Sequence, residues 1–186
     1  MGVLKNAGTD CGNKKPPGVL IDIYYTSTTE LNGFPGLLQT TNEGDSVTLD
    51  GPFDFTGAAA GSGYWRKVVG LTDRGGLKML LEGDPAGQGL TSSLRFFYSG
   101  SEAGQVEFLN DLRQFGGCLS FMAKQRDSDR MRVIGTTTIP AVVESAELDG
   151  GEGNGDPNGT PIVIRAQHPL YFYDDATHGV DTTPNP

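Results

Sequence analysis

Apolar residues in this chain come in short, β-branched or aromatic bursts separated by glycine and proline. Val19 to Thr26 (Val-Leu-Ile-Asp-Ile-Tyr-Tyr-Thr) predicts a strand covered on much of both faces. Residues 27–63 are largely polar and glycine-punctuated, a long loop region with one helical turn. Within it, Ser46–Leu49 and Phe53–Thr56 predict short strands across the Asp50-Gly51-Pro52 turn, and Gly57–Gly63 holds only small residues. Tyr64–Leu71 and Leu77–Glu82 predict a hairpin across Asp73-Arg74-Gly75-Gly76. Leu90–Tyr98, ending in Phe96, Phe97 and Tyr98, predicts a further strand.

The period then changes. Ala103, Val106, Leu109, Leu112 and Phe115 recur at three-residue steps, widened by Phe108, which predicts a helix over 101–115 with its stripe on a sheet. Ser101 supplies an N-cap, and Gly116-Gly117 stops the helix. Cys118–Lys124 and Met131–Gly135 predict the next hairpin, turning through Gln125–Arg130. In Ala141–Leu148 alternation points Val142, Ala146 and Leu148 one way, with Glu144 among them as an anomaly. A loop over Asp149–Asn158 precedes a strand at Ile162–Gln167, with Ile162, Ile164 and Ala166 on one face, and Leu170–Tyr173 closes a core or an interface. About nine strands and one main helix, without a β-α-β rhythm, predict a mainly β protein: an antiparallel β-sandwich or barrel with one flanking helix and extended arms. Residues 1–18 form an N-terminal arm, 19–173 the β domain, and 174–186 a loosely ordered C-terminal tail.

Charge and cysteine content narrow the function. The formal net charge of −9 argues against a protein that grips nucleic acid through a basic face. It is compatible with one that surrounds a polyanion without holding it. No apolar run is long enough for a helical membrane span, and the start lacks the apolar core of a signal peptide. Two cysteines, Cys11 and Cys118, are too few for a disulfide scaffold, and Cys118 reads as a buried thiol, so synthesis in a reducing cytosol is expected.

Catalytic patterns are weak. Asn154 to Arg165 imitates a calcium loop, but the closing carboxylate is replaced by Arg165, so a glycine-rich hairpin loop is favoured over an ion site. His168 and His178 have no second ligand at metal spacing, and no nucleophile elbow is present. The expectation is no enzyme, no cofactor and no metal. The charged hairpin tip is the remaining feature. Lys124, Arg126, Arg130 and Arg132 cluster around Asp127 and Asp129, and Glu144 and Glu147 lie in an acidic stretch that would complement them across a subunit contact.

The Arg130-Met-Arg-Val-Ile-Gly135 strand, the Pro140-Ala-Val-Val143 segment, the Asn158-Gly-Thr-Pro-Ile-Val-Ile164 segment and the His168-Pro-Leu-Tyr-Phe-Tyr173 end follow one another in an order that resembles the major tail (tube) proteins of tailed bacteriophages, in particular the divergent type of Bacteroidetes phages. The resemblance spans roughly Gly18 to Tyr173. It implies a structural virion protein whose hexameric rings stack into the tail tube, with inner sheets joined across subunits and double-stranded DNA passing without specific binding. Its partners would be copies of itself and other tail proteins, with no membrane involved, and it would be made in the host cytoplasm. The alternatives are a tail terminator, neck or decoration protein of the same fold, or a monomeric β-sandwich binding module. On the tube reading, an acidic channel wall is expected, with the Lys124–Arg132 cluster at a contact between copies.

Overall fold

A computed structural model describes residues 20–39, 42–68, 71–84, 87–98, 102–125, 128–147 and 159–184. The predicted arm over 1–18, the Asp149–Asn158 loop and Arg126 lie outside the described residues. The protein is mainly β. One five-stranded sheet has the order β11 (Tyr171–Tyr173), β8 (Met131–Ile134), β7 (Leu119–Gln125), β1 (Leu20–Ser27), β4 (Arg66–Val68). A four-stranded sheet has the order β5 (Leu71–Glu82), β6 (Gly89–Tyr98), β10 (Thr160–Ala166), β9 (Val142–Ala146). A small ribbon pairs β2 (Gly36–Leu37) with β3 (Leu49–Asp50). The helices are α1 (Glu102–Gln114) and a single turn, α2 (Asp175–His178). All the paired strands are antiparallel, and among the described residues neither sheet closes into a barrel.

The first apolar cluster lies between the two sheets and under α1. It combines Ile23 and Tyr25 of β1, Phe121 of β7, Leu94 and Phe96 of β6, Ile162 and Ile164 of β10, and Phe108 and Leu112 of α1. This sandwich-like packing explains the alternation in β10, where Ile162, Ile164 and Ala166 are almost fully buried. A second cluster covers the opposite face of the five-stranded sheet. Met122, Met131, Val133 and Tyr173 meet Leu31, Leu49, Phe53, Phe55 and Trp65 from the long loop region. The aromatic rings there meet edge-on, as for Phe53 and Trp65 with centroids 5.0 Å apart, a favourable arrangement for ring quadrupoles. The polar reading of 27–63 therefore missed a cover.

Four local expectations are corrected. Asp73-Arg74-Gly75-Gly76 does not reverse the chain: β5 runs straight through it, and the extra residues are absorbed by a register shift between Leu71 and Gly76 against β6. β4 pairs with β1 instead. The chain turns back between Glu82 and Gly89, where Gly83 has φ +112°. Phe53–Thr56 forms no strand, only an isolated bridge of Asp54 to Gly33, and Ser46 lies in a 3-10 turn. In β9 the pairing with β10 slips by one residue at Glu144, so Val143 and Ala146 face the core while Val142 is 47% exposed. Glu144 is the bulged residue, which accounts for its anomalous place in the alternation.

The fourth concerns α1. Its buried face carries Gln105, Phe108 and Leu112, whereas Val106 is 52% exposed and Ala103 is exposed too. Each three-residue step falls about 60° short of a full turn, so a stripe kept at that spacing winds around the helix. Gln105 is buried without loss because the Thr160 hydroxyl donates to its side-chain oxygen at 3.2 Å. Phe108→Ala and Leu112→Ala should each cost about 3–5 kcal/mol in urea unfolding. Val106→Ala should change stability by no more than about 0.5 kcal/mol. Equal losses at all three positions would contradict this helix orientation.

Candidate functional site

The hairpin-tip charges do not form one free basic patch. Lys124, at the end of β7, donates to both carboxylate oxygens of Asp175 at 2.8 and 3.0 Å, so it fastens α2 to the sheet. The Arg132 guanidinium lies 3.9 Å from the centroid of the Phe172 ring and donates to the Ser128 hydroxyl at 3.2 Å. Arg130 is exposed. The nearby Asp174 carboxyl is held below its ordinary range, mainly by its bond from Thr177, with Arg130 a smaller contributor. Lys124 and Arg132 thus serve the chain's own C-terminal segment.

Glu144 lies in β9 of the other sheet and Glu147 just after that strand, and both are exposed. Glu144 approaches Arg165 of β10 at 3.6 Å, and Arg165 donates to Glu82 of β5 at 2.6 Å. One arginine near the middle of the sheet thus meets carboxylates from both edge strands. These side chains, with Lys78, Ser93 and Arg95, line an open trough of about 460 Å³ on the outer face of the four-stranded sheet. The trough went unread in the sequence because Glu82 and Glu144 are 62 positions apart (144 − 82) and meet only through β10. Arg165, the residue that spoils a calcium loop, has this role instead.

The sheet edges differ from one another. On the five-stranded sheet, the backbone N–H of Trp65, just before β4, donates to the Asp181 carbonyl at 2.8 Å, so the C-terminal segment meets the chain beside that edge. At the other edge, Thr48 bridges Phe172 of β11. Among the described residues, no strand pairs with the outer edge of β5 or of β9. β5 is long, and it exposes three consecutive apolar side chains: Met79 at 49%, Leu80 at 38% and Leu81 at 59%. An unpaired strand edge flanked by exposed apolar side chains is a template for another strand.

The C-terminal segment also differs from the loosely ordered tail that was expected. Asp174 caps α2, the Tyr173 hydroxyl donates to the Gly179 carbonyl at 2.7 Å, and Val180 packs on the second cluster. Burial, with Asp175 and Asp174 nearby, pushes the Tyr173 hydroxyl up to about 12. His168 is 4% exposed and receives the Gly135 N–H on Nε2 at 2.7 Å. Cys118 is a half-buried free thiol. Removing the Lys124–Asp175 pair by Lys124→Met should loosen this segment. Its expected signature is faster proteolysis after Tyr173 with an unchanged far-UV spectrum; an unaltered cleavage rate would mean the pair does not hold it.

Compared with protein-family models, curated proteins and solved structures, the chain matches none.

Proposed function

We propose that this chain is a structural protein that closes into hexameric rings, and that the rings stack into the tail tube of a bacteriophage. The observation that carries the reading is the contrast between the two sheets. Each edge of the five-stranded sheet is met by its own chain at one point, Asp181 at Trp65 just before β4 and Thr48 at Phe172 of β11. Among the described residues no strand pairs with either edge of the four-stranded sheet; β5 carries an exposed apolar run, and beside β9 only Ala141, just before the strand, bridges Leu119 of β7. Its strands alternate in direction from β5 to β9, so β5 and β9 are antiparallel to each other. Copies turned about an axis along the strands would set β9 of one against β5 of the next as an antiparallel pair. That is a heterologous contact, the kind that closes a ring.

On this reading the trough face becomes the channel wall, which alters the expectation about charge. Its charged lining is Lys78, Arg95 and Arg165 against Glu82 and Glu144, a mixed surface and not an acidic one. Arg165 is held by the two carboxylates. Pairing of that kind lowers the tendency of a base to grip phosphate, which is what a conduit for DNA requires. The Lys124–Arg132 cluster lies on the other sheet, away from this wall.

Purified protein at high concentration should form rings or tubes by negative-stain microscopy. Met79→Lys with Leu81→Lys, at positions exposed in the single chain, should leave the far-UV spectrum unchanged and abolish them. A wild-type protein that stays monomeric by light scattering, with no rings or tubes, would sink the reading.

A further inference from the structure

The chain's two histidines bracket β11. Each presents Nε2 to the backbone N–H of a glycine in a distant segment: His168 to Gly135 at 2.7 Å, His178 to Gly51 at 3.4 Å. Each ring also packs on a tyrosine of β11, His168 on Tyr171 at 5.2 Å and His178 on Tyr173 at 5.8 Å. The Nδ1 of His168 faces the Pro169 carbonyl, which can only accept, so Nδ1 carries the proton and Nε2 the lone pair.

We infer that this pair is an acid-sensitive clamp on the C-terminal segment, in which protonation of His168 turns its acceptor into a donor facing the Gly135 N–H and releases residues 168–184 from the second cluster and from the β4 edge. Gly135 has no freedom to turn away. It sits at φ +89°, and a Cβ there would lie 2.7 Å from the Ala141 nitrogen and 2.9 Å from the Ala141 Cβ. Its carbonyl is held by the Ser120 hydroxyl at 2.8 Å. Two donors cannot share that line, so the imidazole must move, and Tyr171 moves with it.

The surroundings of the two rings differ. Around His168 stand Phe34, Leu37, Leu49, Ile139 and Tyr171 with Thr136, Thr137 and Thr138; among the described residues no carboxylate or cation lines this open pocket, and Tyr171 is the other titratable group there. On the opposite side the Ser92 hydroxyl is spent on the His168 carbonyl. Near His178 lie Asp174 and Asp175 of α2, Asp50 beside Gly51, Tyr173, and Lys124, which is tied to Asp175. These carboxylates surround His178 with negative charge, and its contact to Gly51 is long, so the clamp rests on His168. His168 has no such neighbour among the described residues that line its pocket.

The direction in pH follows. Burial lowers His168 below its ordinary 6.5, partly offset by the Pro169 bond. The released chain therefore binds a proton near 6.5 that the clamped chain refuses. The closed state is at full strength above that value and weakens as pH falls through it towards the lowered value.

Trp65 is the only tryptophan, is 1% exposed, and its backbone N–H donates to the Asp181 carbonyl, so its emission reads the clamp through its burial. Full-length protein titrated from about pH 7.5 to about pH 4.5 should show a red shift of that emission and faster cleavage of the C-terminal segment. The open population should rise by up to about tenfold per pH unit, with the β-sheet signal retained. His168→Gln, which keeps an acceptor that does not titrate, should lose the transition, whereas His178→Gln should keep it. No wild-type transition, or the same transition in His168→Gln, would overturn the proposal. Should His168→Gln fail to fold at neutral pH, the imidazole nitrogen shifts of the wild type decide. A bare Nε2 on His168 with titration below 6.5 supports the clamp, and a protonated Nε2 or titration at or above 6.5 rejects it.

Discussion

Burial of the five-stranded sheet on both faces is the constraint from which the rest of this molecule follows. β7 shows it most plainly. Leu119, Phe121 and Ala123 point into the cluster between the sheets, and Met122 points into the cluster beneath the long loop region. A sheet with two apolar faces needs two covers. The four-stranded sheet with α1 provides one, and residues 31–65 with the C-terminal segment provide the other. Once both are in place, the four-stranded sheet, among the described residues, keeps an outer face and edges that no strand pairs.

Charge has a subordinate, positional role. Arg66 pairs in a fork with Glu30 at 3.0 and 3.1 Å, which anchors the start of the long loop beside β4. Glu30 also accepts the Gly63 N–H at 2.8 Å. Lys124 ties α2, and Arg165 spans the edges of the other sheet. None of these pairs is fully buried, so each fixes geometry more than it adds stability.

Much of the fold was legible because it is written in local periods. The α1 span, the β7–β8 hairpin and the inward face of β10 all rest on alternation or helical spacing uninterrupted by irregularity. The reading failed where one residue breaks the count. Glu144 inserts into β9 and reverses the faces after it, and Gly75-Gly76, as good in a bulge as in a turn, lies inside β5. Which strands share a sheet was not legible, because β4 joins β1 across about forty residues and nothing local encodes that choice. The sequence singled out Lys124 and Glu144 by charge, but their partners Asp175 and Arg165 come from the ends of other elements, set by tertiary structure.

The position of Asp181 against Trp65 has a consequence for how the chain is made. Residues 171–181 leave the ribosome after every surface they cover, including the Met122 and Trp65 side of the five-stranded sheet. The second cluster therefore stays uncapped until residues 171–181 have been made, while the contacts between β7 and β8 and within α1 can already form. Vectorial synthesis sets an order in which the sandwich between the sheets matures first and the aromatic cluster last, so a chain arrested before Tyr173 would carry its exposed aromatic face to the chaperones.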